Sequence, residues 1–251
     1  MTAVLRNRES ELADALSALR RRLAAAAEAA GRNVDEIELL PITKFFPATD
    51  VAILSRLGCP AFGESREQEA SAKVRQLQEL LGPASAAVQW HMVGQIQRNK
   101  ARSLATWAHT AHSVSSIRVV TALERAVGAA LQEGRREHSL RVYVQLSLDG
   151  DVSRGGVDVD QPDAVDEICA RVETAEALEL VGLMAIPPLD WDADAAFARL
   201  QSEHRRVLQS HPNAVGLSAG MSNDLEAAVK HGSTCVRVGT ALMGRRPLRS
   251  P

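Results

Sequence analysis

The sequence predicts an α/β protein of one domain, a single (β/α)8 barrel with an added N-terminal helix, and three observations lead to it. Apolar runs recur near residues 37–43, 59–63, 87–93, 108–112, 140–147, 178–185, 213–218 and 234–238, and each but the last precedes a segment long enough for a helix. No linker divides the 251 residues, a length that suits one barrel-sized core, so the domain is expected to span 1–251. Leu5, Leu12, Leu16, Leu19 and Leu23 recur at helical spacing ahead of the first run and Gly31 offers a stop, which predicts a helix over about residues 3–30.

The first run, "IELLPITKFFP", is continuously apolar, as expected of a parallel strand buried on both faces. Later helices are legible in Val119, Leu123, Val127 and Leu131, and in Phe197, Leu200, His204 and Leu208. The opening helix is expected to pack where the missing eighth helix of the barrel would lie. A doubly wound open sheet is the competing architecture, but no G-x-G-x-x-G follows the first strand.

Composition removes several function classes. The formal charge of -2 comes from 29 basic and 31 acidic residues mixed along the chain, so no stripe for gripping nucleic acid is expected. No run of 18 apolar residues occurs and the N-terminus lacks a signal-peptide core, which predicts a soluble cytoplasmic protein without membrane contact. Cys59, Cys169 and Cys235 are odd in number and widely spaced, so reduced thiols are expected rather than disulfides or a metal site.

Functional groups of a barrel gather at the carboxyl ends of its strands. Lys44 closes the first apolar run, where an ammonium must be solvated, paired or used chemically; an arginine there could not form a Schiff base. Phosphates often sit in the loops after strands 7 and 8. "LSAGMSNDLEAAV" offers the hydroxyls of Ser218 and Ser222 and a helix opening at which Asn223 and Glu226 stand in capping-box relation. "TCVRVGTALMG" offers Gly239 and Thr240, where the backbone can approach an oxygen-rich ligand. Ordinary loop-to-helix turns explain either segment alone. Arg237 shares the parity of Cys235 on an apolar strand and must face the barrel interior or the helical ring, as an ion pair or as a donor to a ligand. Strand 8 closes on strand 1, so an amine, a phosphate cradle and a ring partner fall within reach of one small molecule, pyridoxal 5'-phosphate, with Lys44 as its aldimine. His91 in "WHMVGQIQRNK" and Met184 in "GLMAIPP" complete the candidate set; Glu64 and Ser65 in "FGESREQE", and Arg154 in "SRGGV", reach the same rim. Helix capping explains Ser65 equally well.

These motifs, in this order and over nearly the whole chain, resemble the pyridoxal phosphate homeostasis proteins. The resemblance implies a barrel of the alanine-racemase N-terminal-domain type, with Lys44 in the aldimine-forming position. Ser218, Ser222, Gly239 and Thr240 then match the phosphate-binding segments, and Arg237 the residue facing the pyridine nitrogen. It also implies a carrier that holds, buffers and delivers the cofactor, with apo-enzymes as partners and no catalytic turnover. A monomer is expected. Three positions depart from the family pattern: Phe46 replaces a basic residue, Ser65 an asparagine and Arg154 a lysine. Arg154 keeps the charge but cannot serve as a second amine.

Two catalytic readings compete. Fold-related racemases resemble one another in adding a β-rich domain that supplies a tyrosine base, whereas this chain ends at Pro251 and its one tyrosine, Tyr143, reads as core. A Schiff-base aldolase would need an inward acid or base beside Lys44, for which Glu64 is the candidate.

Overall fold

The computed structural model describes residues 3–245, with side chains from Arg6 onward; the Leu5 side chain and residues 246–251, Pro251 included, lie outside that part. Helix α1 (Ala3–Ala29) buries Leu12, Leu16, Leu19 and Leu23, the stripe its spacing predicts. A Schellman turn ends it: with Gly31 at φ +66°, the N–H of Gly31 bonds Glu28 O at 3.0 Å and that of Arg32 bonds Ala27 O at 2.9 Å.

Strands and helices then alternate as β1 (Glu38–Pro41), α2 (Ala48–Arg56), β2 (Ala61–Glu64), α3 (Glu67–Leu81), β3 (Gln89–Met92), α4 (Ala101–Leu104), β4 (Ala108–Val114) and α5 (Ile117–Gln132). There follow β5 (Leu140–Ser147), β6 (Val157–Asp158), α6 (Pro162–Glu173), β7 (Leu178–Ala185), α7 (Ala193–Ser210), β8 (Gly216–Ser218), α8 (Leu225–Lys230), β9 (Cys235–Val238) and α9 (Thr240–Met243). All pairings are parallel, in the order β1-β9-β8-β7-β5-β4-β3-β2. A bridge between Ile42 and Gly63, with the Thr43 N–H 3.0 Å from Gly63 O, brings the two ends together into a nearly closed barrel. The eight strands of this path coincide with the eight apolar runs. Strand β6 is additional, pairing Val157 and Asp158 with Leu146 and Ser147. Gly156, at φ +107°, makes that pairing possible, because a Cβ there would stand 2.6 Å from the Leu146 carbonyl carbon.

The large apolar clusters lie between barrel and helices, while the interior holds two small ones, Leu40, Ile42, Ala61 and Cys235 on one side and Tyr143, Val181 and Met184 on the other. Helix α1 packs on α2, α8 and α9, the sector left open by the brevity of α8 and α9. Arginines of the helix and of the turn that ends it fasten it there. Arg8 bonds Asp50 at 2.7 Å and Met243 O at 3.0 Å, Arg22 bonds Ser222 O at 2.6 Å, and Arg32 bonds Val229 O at 3.0 Å and Ser233 O at 2.7 Å. The capping box expected of Asn223 and Glu226 is not formed. Arg22 takes both Glu226 oxygens, at 2.5 and 2.6 Å, and Asp224 instead accepts the Met221 N–H.

Glycines of β7 and β8 let the barrel close around a ring. Gly182 (φ +155°) faces Gly216, where a Cβ would lie 1.7 Å from the Gly216 oxygen, and a Cβ on Gly216 would meet the Tyr143 ring at 2.8 Å. Gly182→Ala is expected to lower stability by about 3 kcal/mol and the melting temperature by roughly 6–12 °C. Gly128→Ala in α5, where the new methyl meets only Ala177 at 3.9 Å, should instead raise stability by about 1 kcal/mol. Thermal unfolding of both variants checks the pair.

Candidate functional site

Lys44 stands just past β1, partly exposed, in a turn closed by the Phe46 N–H on Thr43 O at 3.0 Å. Phe45, the next residue, adopts φ +72°, a left-handed conformation that costs a bulky side chain energy and persists only where its surroundings hold it. A buried polar knot supplies that hold. Lys73 of α3 donates to Thr43 O at 2.8 Å and to Glu64 Oε1 at 2.6 Å, and the Thr43 hydroxyl donates to the same oxygen at 2.7 Å. Thr43 and Glu64 therefore face the helical layer, and the alternation of β1 gives Lys44 the parity of the interior residues Leu40 and Ile42. Glu64 is thus turned away from the mouth, which removes the acid or base read there for an aldolase. Burial pushes its carboxyl above the ordinary value, while Lys73 and Thr43 favour the anion. Phe46 packs with the α1–α2 cluster under the Arg8 guanidinium, 5.7 Å from the ring centroid.

Arg237 of β9 points into the barrel, buried, and pairs in register with Leu40, so Lys44 lies four residues nearer the mouth on the adjacent strand. It donates to the Ser218 hydroxyl at 2.5 Å and to Ala185 O at 3.0 Å. No carboxylate pairs with it among the described residues, so the ion pair read from the sequence is not formed. Burial works against its charge, and Cys235, Asp224 and Tyr143 partly offset that. Ser218, read as a phosphate-loop hydroxyl, is fully buried and committed to Arg237 and, at 2.8 Å, to His112 Nδ1. Parity alone cannot distinguish an inward serine from a loop serine one residue beyond the strand.

Ser222 does lie in the loop after β8, and its hydroxyl accepts the Ala241 N–H at 3.3 Å, joining that loop to the one after β9. Gly239 is partly exposed and Thr240 exposed beside it. Among the described residues the N–H groups of Ser222, Asn223, Gly239 and Thr240 find no acceptor. A Cβ on Gly239 would meet only Ile42, at 3.7 Å, so packing does not dictate this glycine. Four open donors around a cleared backbone suit a phosphate.

His91 and Met184 lie in the interior. His91 Nδ1 is 3.0 Å from His112 Nε2, and Met184 sits between Gln145 and Ser218 in register, packed with Tyr143. Burial pushes the His91 ring down to about 3 and the His112 ring well below its ordinary value, so both are neutral near pH 7. His112, stacked on Tyr143 at 4.6 Å, was not singled out from the sequence; two histidines at inward positions of neighbouring strands were the available signal. Tyr143 is core, its hydroxyl pushed further from ionising by burial. Ser65 does not cap α3, whose first turn has no side-chain cap, and its backbone instead abuts Gly94. Arg154 is held by Asp149 and, at 3.1 Å, by Asp151. No metal-binding cluster occurs among the described residues, and no helix there is long and apolar enough to cross a membrane.

Comparison with known proteins matches residues 15–247 to the family model described as alanine racemase, N-terminal domain. A pyridoxal phosphate homeostasis protein of Mycobacterium tuberculosis is 74% identical over 249 residues, covering 98% of this chain and 96% of that one. The chain belongs to the pyridoxal phosphate homeostasis protein family. A member from Escherichia coli is 34% identical over 240 residues, covering 94% of this chain and 97% of that one. PipY of Synechococcus elongatus, solved with PLP bound, superposes with a TM-score of 0.77 at 30% identity, covering 93% of this chain and 100% of PipY.

Removing Lys73 would leave a buried carboxylate without its partner. Lys73→Met is expected to cost roughly 3–5 kcal/mol at pH 7. The raised Glu64 value means that the fold binds this proton more tightly than the unfolded chain does. Stability is therefore lost as pH rises from the ordinary carboxyl value through the folded one, and without Lys73 that window widens upward. Urea unfolding should accordingly show a smaller deficit against wild type at pH 5 than at pH 8.

Proposed function

We propose that this protein binds pyridoxal 5'-phosphate as a non-catalytic carrier, holding it at the barrel mouth and buffering or delivering it to apo-enzymes. The observation that carries this reading is the convergence, on adjoining strands, of the Lys44 amine, the inward Arg237 guanidinium and the open N–H groups after β8 and β9. When bound, the cofactor supplies an aldehyde that condenses with a primary amine and a ring that withdraws electrons from the adduct. Lys44 would provide the amine, Ser222, Gly239 and Thr240 would hold the phosphate, and Arg237 would face the ring nitrogen. An arginine has no proton-accepting site and so leaves that nitrogen unprotonated, which weakens the ring as an electron sink.

The same residues support carriage over catalysis. Tyr143 is sealed against His112, Glu64 is turned toward α3, and the described rim offers no second base across from Lys44. The relatives bear the name of homeostasis proteins, and PipY was solved with PLP bound, which supports the same cofactor here. Three free buried cysteines suit a reducing compartment, so the reading includes a cytoplasmic location, and a monomer.

Borohydride reduction in the presence of the cofactor, followed by peptide mapping, should label Lys44; labelling of Lys73, Lys100 or Lys230 would overturn the site. Lys44→Ala should lose the visible chromophore yet prefer the phosphate ester over pyridoxal, since the loop cradle remains. Turnover in an amino-acid racemase assay would overturn the carrier reading.

A further inference from the structure

Behind Arg237 the barrel interior contains a file of polar side chains that the cofactor reading does not use. Arg237 donates to Ser218 Oγ at 2.5 Å, Ser218 Oγ lies 2.8 Å from His112 Nδ1, and His112 Nε2 lies 3.0 Å from His91 Nδ1. Each member comes from a different strand: β9, β8, β4 and β3 in turn. Beyond it, His91 Nε2 is buried without a hydrogen bond, 3.9 Å from Glu38 Oε1 at the start of β1.

The donor at one end fixes the direction of the whole file. Arg237 can only donate, so the Ser218 proton is free to turn away from it. Two groups could receive that proton, His112 Nδ1 and the Cys235 sulfur. Burial keeps Cys235 a protonated thiol, the weaker acceptor, which leaves His112. With Nδ1 accepting, neutral His112 carries its proton on Nε2 and passes it toward His91 Nδ1, and His91 in turn carries its proton on Nε2, facing the Glu38 carboxyl. The reverse order would point a lone pair of His91 at that carboxyl. Burial disfavours a second proton on either ring, as do His109, stacked on His91 at 6.0 Å, and Arg141 at His91, and His91, Arg237 and Arg141 at His112. The file ends in an orphaned donor, a cost that apolar packing would avoid.

We propose that Ser218, His112 and His91 are positioning residues for Arg237, a one-way hydrogen-bond file that fixes the plane in which its remaining N–H groups meet the ligand ring. The bonds to Ser218 and Ala185 occupy two of five guanidinium N–H groups and leave three for that task. The inference rests on the proposed cofactor for its ligand, but not for the file itself.

Two measurements test it. Histidine nitrogen-15 spectra of the ligand-free wild-type protein should show His112 and His91 both neutral with the proton on Nε2, unchanged between pH 5.5 and 8; a proton on His112 Nδ1, or either ring titrating in that range, would overturn the file. In cofactor titrations, Ser218→Ala and His112→Phe should weaken pyridoxal 5'-phosphate binding about tenfold and move the absorption maximum of the bound form. His112→Asn, whose amide oxygen can replace Nδ1, should restore both. Unchanged affinity and spectrum in folded Ser218→Ala and His112→Phe would refute the positioning role. Failure of wild type to take up the cofactor would instead refute the proposed function, while the nitrogen spectra would still decide the direction of the file.

Discussion

A guanidinium sealed inside a barrel must have every nearby acceptor arranged for it, because it cannot give up its charge and cannot accept a bond. Much of the interior of this protein follows from that requirement at Arg237. The Ser218 hydroxyl comes from the adjacent strand β8 and the Ala185 carbonyl from β7, one strand further round, at the level where the guanidinium arrives. His112 then satisfies Ser218, and Tyr143 stacks on His112, where Gly216 keeps the backbone clear of the ring and Gly182 lets β7 approach Gly216. The glycines, the aromatic ring and the neutral histidines are one solution to one electrostatic problem, and among the described residues they leave two small apolar clusters inside the barrel.

The outer layer solves a different problem. Helix α8 has six residues and α9 four, too few to cover the barrel or to hold their loops without outside support. Helix α1 and the turn that ends it fill that sector and grip it through arginine bonds to backbone carbonyls, at Met243 through Arg8, Ser222 through Arg22, and Val229 and Ser233 through Arg32. The segment farthest away in sequence thereby sets the position of the two loops that carry the open N–H groups. On the adjoining strands β1 and β2, the Lys73, Glu64 and Thr43 knot does the same for the strained turn at Lys44 and Phe45.

What the sequence made legible was periodic or terminal. Eight apolar runs located the eight strands of the barrel path, the leucine stripe located α1, and strand ends located Lys44 and the loops after β8 and β9. Alternation placed Arg237 on the parity of Cys235, yet it could not say which residues on other strands stand level with it. That information lies in register and barrel stagger, so neither the meeting of His112 with Ser218 nor the inward burial of Ser218 is legible in the sequence. The orientation of Glu64 is hidden for a related reason: its partner, Lys73, arrives from a helix nine residues on, and no strand pattern encodes that meeting. Strand β6 is two residues long, below the length at which any period can be detected.

The shortage of lysine has a chemical consequence of its own. Only four of the 29 basic residues carry a primary amine, and Lys73 is locked in the helical layer while Lys230 is held by Asp194 at 2.6 Å. Guanidinium groups do not condense with aldehydes under the mild conditions in which amines do. The arginine-rich exterior is therefore almost inert toward carbonyl compounds, so a reactive electrophile crossing it meets few places to become stranded as random adducts before reaching the mouth.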